Sequence, residues 1–281
     1  MHRFTTRDGV ELAYQDSGPA DGDTPPLVML HGWGRSQILF RHQFTGLAVG
    51  RRVIPLDLRG QGASDKPRHG YRIARLASDV HELLAHLGAE RVDAFGWSMG
   101  VSVWCSYIDQ HGTGRLRRFV AVDQPAAVST APGMSEQERT ESGALFAPVT
   151  LSSTLLELGG PQRESAIHAF ARGAFGRPPD PAVLNLVVEA MRTLPAHAGV
   201  ALLWNHGLHD WRDLLPRIDV PTLVIGCEGS HVNPASQRFV AERIPGAEVR
   251  IFPADVASSH LPFLENPPVF NAVVGKFLDR A

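Results

Sequence analysis

The sequence predicts an α/β protein: a mostly parallel eight-stranded sheet flanked by helices, with a helical segment inserted after strand six. Three observations carry this. Short apolar runs alternate with helical periodicity in both halves of the chain. Between Asp123 and Pro221 that alternation stops, and only helical patterns follow one another. At 281 residues, 43% of them hydrophobic, the chain is long enough for one large core plus an insertion.

The first two strands, 3–6 and 10–15, alternate apolar and polar residues around Asp8-Gly9, a dipeptide suited to the positive φ angles of a tight turn. A loop rich in Gly, Pro and Asp spans 18–26. Six further strands are predicted over 27–30, 52–58, 91–95, 119–122, 222–225 and 248–252. The helix over 73–87 places Leu76, Val80, Leu83, Leu84 and Leu87 on one face and stops at Gly88. Helices over 99–111, 234–244 and 268–278 behave alike. Within the insertion, helices are expected over 135–144, 163–173, 181–193 and 196–205, broken by Gly159-Gly160-Pro161 and Pro178-Pro179. A structureless loop of that length is foreign to a compact domain. Residues 125–217 therefore read as a helical lid over a core built from 1–124 and 218–281.

Composition narrows the function. A formal net charge of −2 gives no basic footprint for nucleic acid. The longest apolar runs fall far short of the ~20 residues of a membrane span, and the first residues lack the apolar stretch of a signal peptide. A small-molecule partner and a cytoplasmic location are expected, with no nucleic acid and no membrane; oligomeric state is not legible. Cys105 and Cys227 are too few for a disulfide framework or a thiolate zinc site and read as small buried hydrophobes. His81-Glu82 with His86 misses H-E-x-x-H by one residue, so the imidazoles point to different faces of their helix; solvated positions and no metal site are expected.

The strongest chemical signal is Gly96-Trp97-Ser98-Met99-Gly100, set between the strand over 91–95 and the helix over 99–111. Strand, sharp turn and helix are the context of a nucleophile elbow. Glycines two before and two after Ser98 permit the close approach that the turn requires. The Ser98 hydroxyl then projects above the sheet, where the Met99 N–H can stabilise an oxyanion. A second donor comes from His31-Gly32-Trp33-Gly34, directly after the strand over 27–30, and is assigned to the Trp33 N–H. His31 is read as a brace for that loop.

With these motifs, the segment Asp57-Leu58-Arg59-Gly60-Gln61-Gly62-Ala63-Ser64-Asp65, the helical insertion and a late histidine, the chain resembles the α/β-hydrolase superfamily over essentially its whole length. It looks most like the bacterial esterase, perhydrolase and cofactor-free haloperoxidase-like branch. The resemblance implies that 57–65 is a turn beside the active site that performs no chemistry. It implies the chain order nucleophile, acid, histidine. The histidine is then His260, in Ser258-Ser259-His260-Leu261-Pro262 after the last strand. The acid departs from the pattern. Relatives usually carry an aspartate shortly after the strand over 222–225, and here Ser230 stands there. Two substitutes exist: Asp123, at the end of the strand over 119–122, where some superfamily members hold their acid, and, as the alternative, Glu228.

Serine at the elbow separates the chain from the haloalkane dehalogenases and epoxide hydrolases of this fold, which use a carboxylate there. The implied reaction is cleavage of an ester or lactone through an acyl-enzyme, with no metal or organic cofactor, on a small, largely apolar or aromatic substrate. Trp97, Phe146, Phe170 and Trp204 are expected as pocket walls, with Trp33 and Phe175 beside them. His206 and His209 fall near the pocket, and 210–215 is expected to dock the insertion onto the sheet. Two further functions stay open on the same fold: cofactor-free dioxygenation of a heteroaromatic ring, and a receptor-like protein that binds ligand and turns over slowly.

Overall fold

The computed structural model describes residues 1–19 and 24–280; four residues of the loop expected over 18–26 lie outside the described residues. Eight strands form one sheet in the order β1-β2-β4-β3-β5-β6-β7-β8: β1 (His2–Thr5), β2 (Glu11–Tyr14), β3 (Leu27–Leu30), β4 (Val53–Leu56), β5 (Val92–Trp97), β6 (Leu116–Val122), β7 (Thr222–Cys227) and β8 (Glu248–Phe252). The β1–β2 hairpin is antiparallel and joins β4 through Tyr14 and Leu56. From β4 onward every pairing is parallel. Parallel strands need helical crossovers, which cover both faces and explain why β3, β4, β5 and β7 are buried throughout.

Helices α1 (Arg41–Gly46), α2 (Ile73–His86) and α3 (Met99–His111) connect the first half of the sheet. The apolar stripe of α2, Leu76, Val80, Leu83 and Leu84, is buried as its spacing predicts. His86 is exposed, as expected, whereas His81 is half-buried. His81 stacks on His111 with ring centroids 4.1 Å apart, and His86 stacks on Phe4 at 5.3 Å, because α2 is wedged between α3 and the first hairpin.

The insertion between β6 and β7 consists of α4 (Glu136–Ser142), α5 (Pro148–Gly159), α6 (Arg163–Gly173), α7 (Pro181–Arg192) and α8 (Ala196–Gly207). Ser135 caps α4 through a reciprocal bond pair with Glu138. Helix α5 has no counterpart in the sequence reading. Its buried Leu151, Leu155 and Leu158 have helical spacing, but Val, Ser and Thr between them obscure the pattern. Among the described residues only isolated bridges, Ala127 with Asp210 and Ser129 with Phe146, occur between β6 and β7. The first closes the neck of the insertion, together with a 2.8 Å bond from the Trp211 N–H to the Ala126 carbonyl. After β7 come α9 (Pro234–Arg243), α10 (Pro262–Glu265) and α11 (Pro267–Leu278). Among the described residues no single helix is long and apolar enough to cross a membrane. Both cysteines are buried and free.

Candidate active site

The carboxyl ends of β3, β5, β6, β7 and β8 converge on one crevice, the place where open parallel sheets gather chemical groups. The sheet ladder runs straight into the site. The Ser98 N–H donates to the Val122 carbonyl at 2.9 Å, and the Asp123 N–H donates to the Ile225 carbonyl at 2.7 Å.

Ser98 sits at φ 54° and ψ −128°, a conformation that suits glycine. Sterics explain the glycines around it. A Cβ on Gly96 would lie 2.6 Å from the Val101 nitrogen, and one on Gly100 would fall onto the Leu30 carbonyl oxygen. Only two hydrogens at these positions let β5, the turn and α3 pack against β3. Met99 opens α3, so its amide is among those that a helix N-terminus leaves without an intrahelical partner.

Facing it is the loop after β3. A Cβ on Gly32 would touch the Ser98 Cβ at 3.0 Å and Oγ at 3.3 Å, so this backbone lies directly against the serine. Residues of the 57–65 turn hold the loop. The Gln61 Oε1 accepts from the Gly34 N–H at 2.6 Å, and the Asp57 carboxylate accepts from the Gln37 N–H at 2.8 Å and the Ala63 N–H at 2.8 Å. His31 completes the brace: its Nε2 accepts from the Leu58 N–H at 3.1 Å, so Nδ1 carries the proton and donates to the Gly32 carbonyl at 2.8 Å. Both ring nitrogens are consumed, which leaves His31 none for proton transfer.

Asp123 is fully buried and also adopts a positive φ, 50°. Its Oδ2 accepts from the His260 Nδ1 at 2.7 Å and from the Ser230 hydroxyl at 2.5 Å. Ser230, standing where an acid was expected from the resemblance, thus buttresses the aspartate one strand away. Glu228 is exposed, and its Oε2 accepts from the Ala254 N–H at 3.2 Å. The imidazole of His260 is further fixed by its neighbour Trp97, whose ring lies 5.3 Å away and whose Nε1 donates to the His260 carbonyl at 2.7 Å.

A cavity of about 320 Å³ opens over these groups. Ser98 and His260 line it, with Trp33, Trp97, Phe146 and Phe170 among its walls. Trp204 does not. Positions 203 and 206 of α8 face the cavity, which turns residue 204 outward, and its side chain is 47% exposed. Phe175 packs on the core without reaching the cavity. His206, expected near the pocket, lines it, and so do Arg35, Gln124 and His231, which the sequence did not single out. His206 makes a second serine–histidine contact, 3.0 Å from the Ser102 hydroxyl. That hydroxyl also accepts from the Trp211 indole N–H at 3.1 Å. Ser102 is wholly buried one turn into α3, and no carboxylate pairs with His206 among the described residues. The contact ties the neck of the insertion to the core.

Burial, and after it the charge of Arg35, holds His260 well below the ordinary imidazole range; burial also raises the Asp123 carboxyl, against the hydrogen bond from Ser230. The pair titrates as a unit, and a cation beside it lowers that unit's pKa whichever member takes the proton. His231 at a centroid distance of 4.4 Å and Arg35 are the other ionisable groups facing it. A general base works only after losing that proton, so any activity that uses the pair falls as pH drops through its pKa. Arg35→Met is therefore expected to move the acid limb of kcat/KM to higher pH. An unmoved or lowered limb in the pH–rate profile would contradict the electrostatics.

The comparisons agree with this architecture. A family model of the alpha/beta hydrolase fold matches residues 25–267, and the chain belongs to that family. It is 29% identical to a non-heme chloroperoxidase from Kitasatospora aureofaciens over 88% of this chain and 89% of that protein. An esterase from Exiguobacterium antarcticum superposes with a TM-score of 0.88 at 23% identity, covering 99% of both chains. An esterase from a Rhodococcus species superposes with a TM-score of 0.82 at 27% identity, covering 99% of this chain and 98% of that one. Family membership makes the chain a hydrolase-fold enzyme.

Proposed function

We propose that this protein is a serine hydrolase that cleaves a small ester or lactone, with Ser98 as nucleophile, His260 as general base and Asp123 as the acid of the triad. The observation that carries the reading is the 2.7 Å bond between His260 and Asp123, set beside a serine held at the tip of a strained strand-to-helix turn. Glu228, committed elsewhere and exposed, has no part in it.

The chemistry follows the geometry. His260 Nδ1–H is pinned to Asp123, which leaves Nε2 as the basic nitrogen. It takes the Ser98 proton as Oγ bonds to the carbonyl carbon, and the carbonyl electron pair moves onto oxygen. The Met99 and Trp33 N–H groups receive that oxyanion. Collapse breaks the bond to the leaving oxygen, which takes the proton from His260. Water then gives a proton to His260, attacks the acyl-enzyme and releases the acid, and Ser98 recovers its proton. Throughout, Asp123 stabilises the imidazolium without becoming protonated. The insertion between β6 and β7 supplies the apolar walls Phe146, from the link between α4 and α5, and Phe170, from α6, and acts as the lid.

A fluorophosphonate probe tests this. One equivalent should attach to folded protein, at Ser98 by peptide mass, and Ser102 should stay unmodified. Labelling elsewhere, or none, would sink the mechanism. The acid at the end of β6 also suits cofactor-free oxygenation of a heteroaromatic substrate, in which the His260–Asp123 pair removes a substrate proton. Anaerobic ester turnover at the aerobic rate separates the two.

A further inference from the structure

One group in the cavity is not used by the proposed chemistry. Arg35, two residues beyond Trp33, is only 2% exposed yet lines the cavity with Ser98 and His260. Among the described residues no carboxylate pairs with it, and its Nη1 makes only a long contact, 3.5 Å, to the Gly34 carbonyl. The contrast within this chain is sharp. Arg59, also wholly buried, is clamped between Asp8 and Asp79 by four bonds of 2.7–2.9 Å. A buried guanidinium without a partner is strongly unfavourable, since burial opposes its charge and no anion offsets it. The influence of Arg35 on both His260 and His231 puts its charge among the reacting groups.

We infer that Arg35 is a substrate-binding residue that receives a carboxylate on the substrate, so that the preferred ester or lactone carries an anionic group near the scissile bond. This rests on the serine-hydrolase reading and specifies its substrate class. A planar guanidinium matches a carboxylate through two parallel N–H···O bonds, and in a water-poor cavity such a pair is strong and directional. Beyond the polar Gln124, His206 and His231, the insertion contributes the apolar walls Phe146, Phe170, Leu145 and Leu203, with Phe170 packed 5.0 Å from the Trp33 ring of the loop that carries Arg35. The site is thus two-sided: an anionic end seats on the core and an apolar body lies under the helices. A cavity of about 320 Å³ limits that body to a small molecule. Docking of the anion would also cancel the charge that weakens His260 as a base, so the matched substrate strengthens its own general base.

The test compares two aryl esters of the same short dicarboxylic acid, one with its second carboxyl free and one with it as a neutral amide, well above the imidazole pH range. The wild-type protein is expected to favour the free carboxylate in kcat/KM by at least about thirtyfold, the scale of a buried charge pair left incomplete. Arg35→Met should bring that preference close to one, chiefly by raising KM for the carboxylate ester relative to KM for the amide. Arg35→Lys should restore part of it. Equal wild-type rates on both esters, or equal losses on both in Arg35→Met, would overturn the assignment. If neither ester turns over, the hydrolase reading fails and the anion site is read separately: the dicarboxylic acid monoamide should raise the Tm of wild type and not of Arg35→Met. The absence of that difference refutes the site on its own.

Discussion

Replacing Ser98 by glycine is expected to lower kcat on an activated ester by about a million-fold, the scale on which removal of a serine nucleophile acts, and at the same time to make the protein more stable. The two effects share one cause. Ser98 is held at φ 54° and ψ −128° because β5 must turn directly into α3 with its side chain thrust into the cavity. A side chain in that region costs on the order of 1–3 kcal/mol, which glycine does not incur, while its extra freedom in the unfolded chain returns part of the difference. A net gain of about 1 kcal/mol, roughly 2 °C in Tm, should appear in calorimetry. Ser98→Ala should be equally inactive without that gain. A glycine variant less stable than the alanine variant would show that the turn is not strained.

Asp123→Asn is expected to reduce kcat by about 10⁴-fold with little change in KM, whereas Glu228→Gln should leave both within about twofold. Asparagine retains the shape of aspartate but not its acceptor capacity. With its NH2 toward His260 it donates to Nδ1, forces the proton onto Nε2 and removes the nitrogen that must accept from Ser98. With its oxygen toward His260 it keeps the tautomer, loses the charge that stabilises the imidazolium, and puts an NH2 where Asp123 Oδ1 is already buried without a partner. Steady-state kinetics on the two variants decides the acid. Comparable losses in both, or a larger loss in Glu228→Gln, would reassign it.

The parts of the site that could be read from sequence are those fixed by local sterics or chain order. Gly96 and Gly100 report the elbow because packing against Val101 and Leu30 forbids any larger residue, and that constraint lies within five residues of Ser98 or on the next strand. His260 is readable because the resemblance puts the histidine on the loop after the last strand, and His260 follows 248–252. The choice between Asp123 and Glu228 is different in kind. Both end a strand, and only the order β6-β7-β8, with the loop carrying His260 folded back over β6, brings one of them to the imidazole. Arg35 lacked any local signal, since an arginine in a polar loop reads as solvated until the packing around it is known. Trp204 failed for the same reason in reverse: an aromatic side chain suggests a wall, but the face that α8 turns inward is set by Leu203 and His206.

The contact between Ser230 and Asp123 bears on how such a site can change over generations. The two side chains are a hydrogen bond apart, so the positions at which the acid can stand, on β6 or on the loop after β7, share one pocket beside His260. An acid at residue 230 would adjoin the existing one, and two carboxylates in contact hold a proton between them, so the pair still presents one negative charge to the imidazole. Turnover by Ser230→Asp, with its acid limb raised, measures that state directly. An active Ser230→Asp would mean that the acid can pass from one strand to its neighbour by single substitutions with a carboxylate beside His260 at every step.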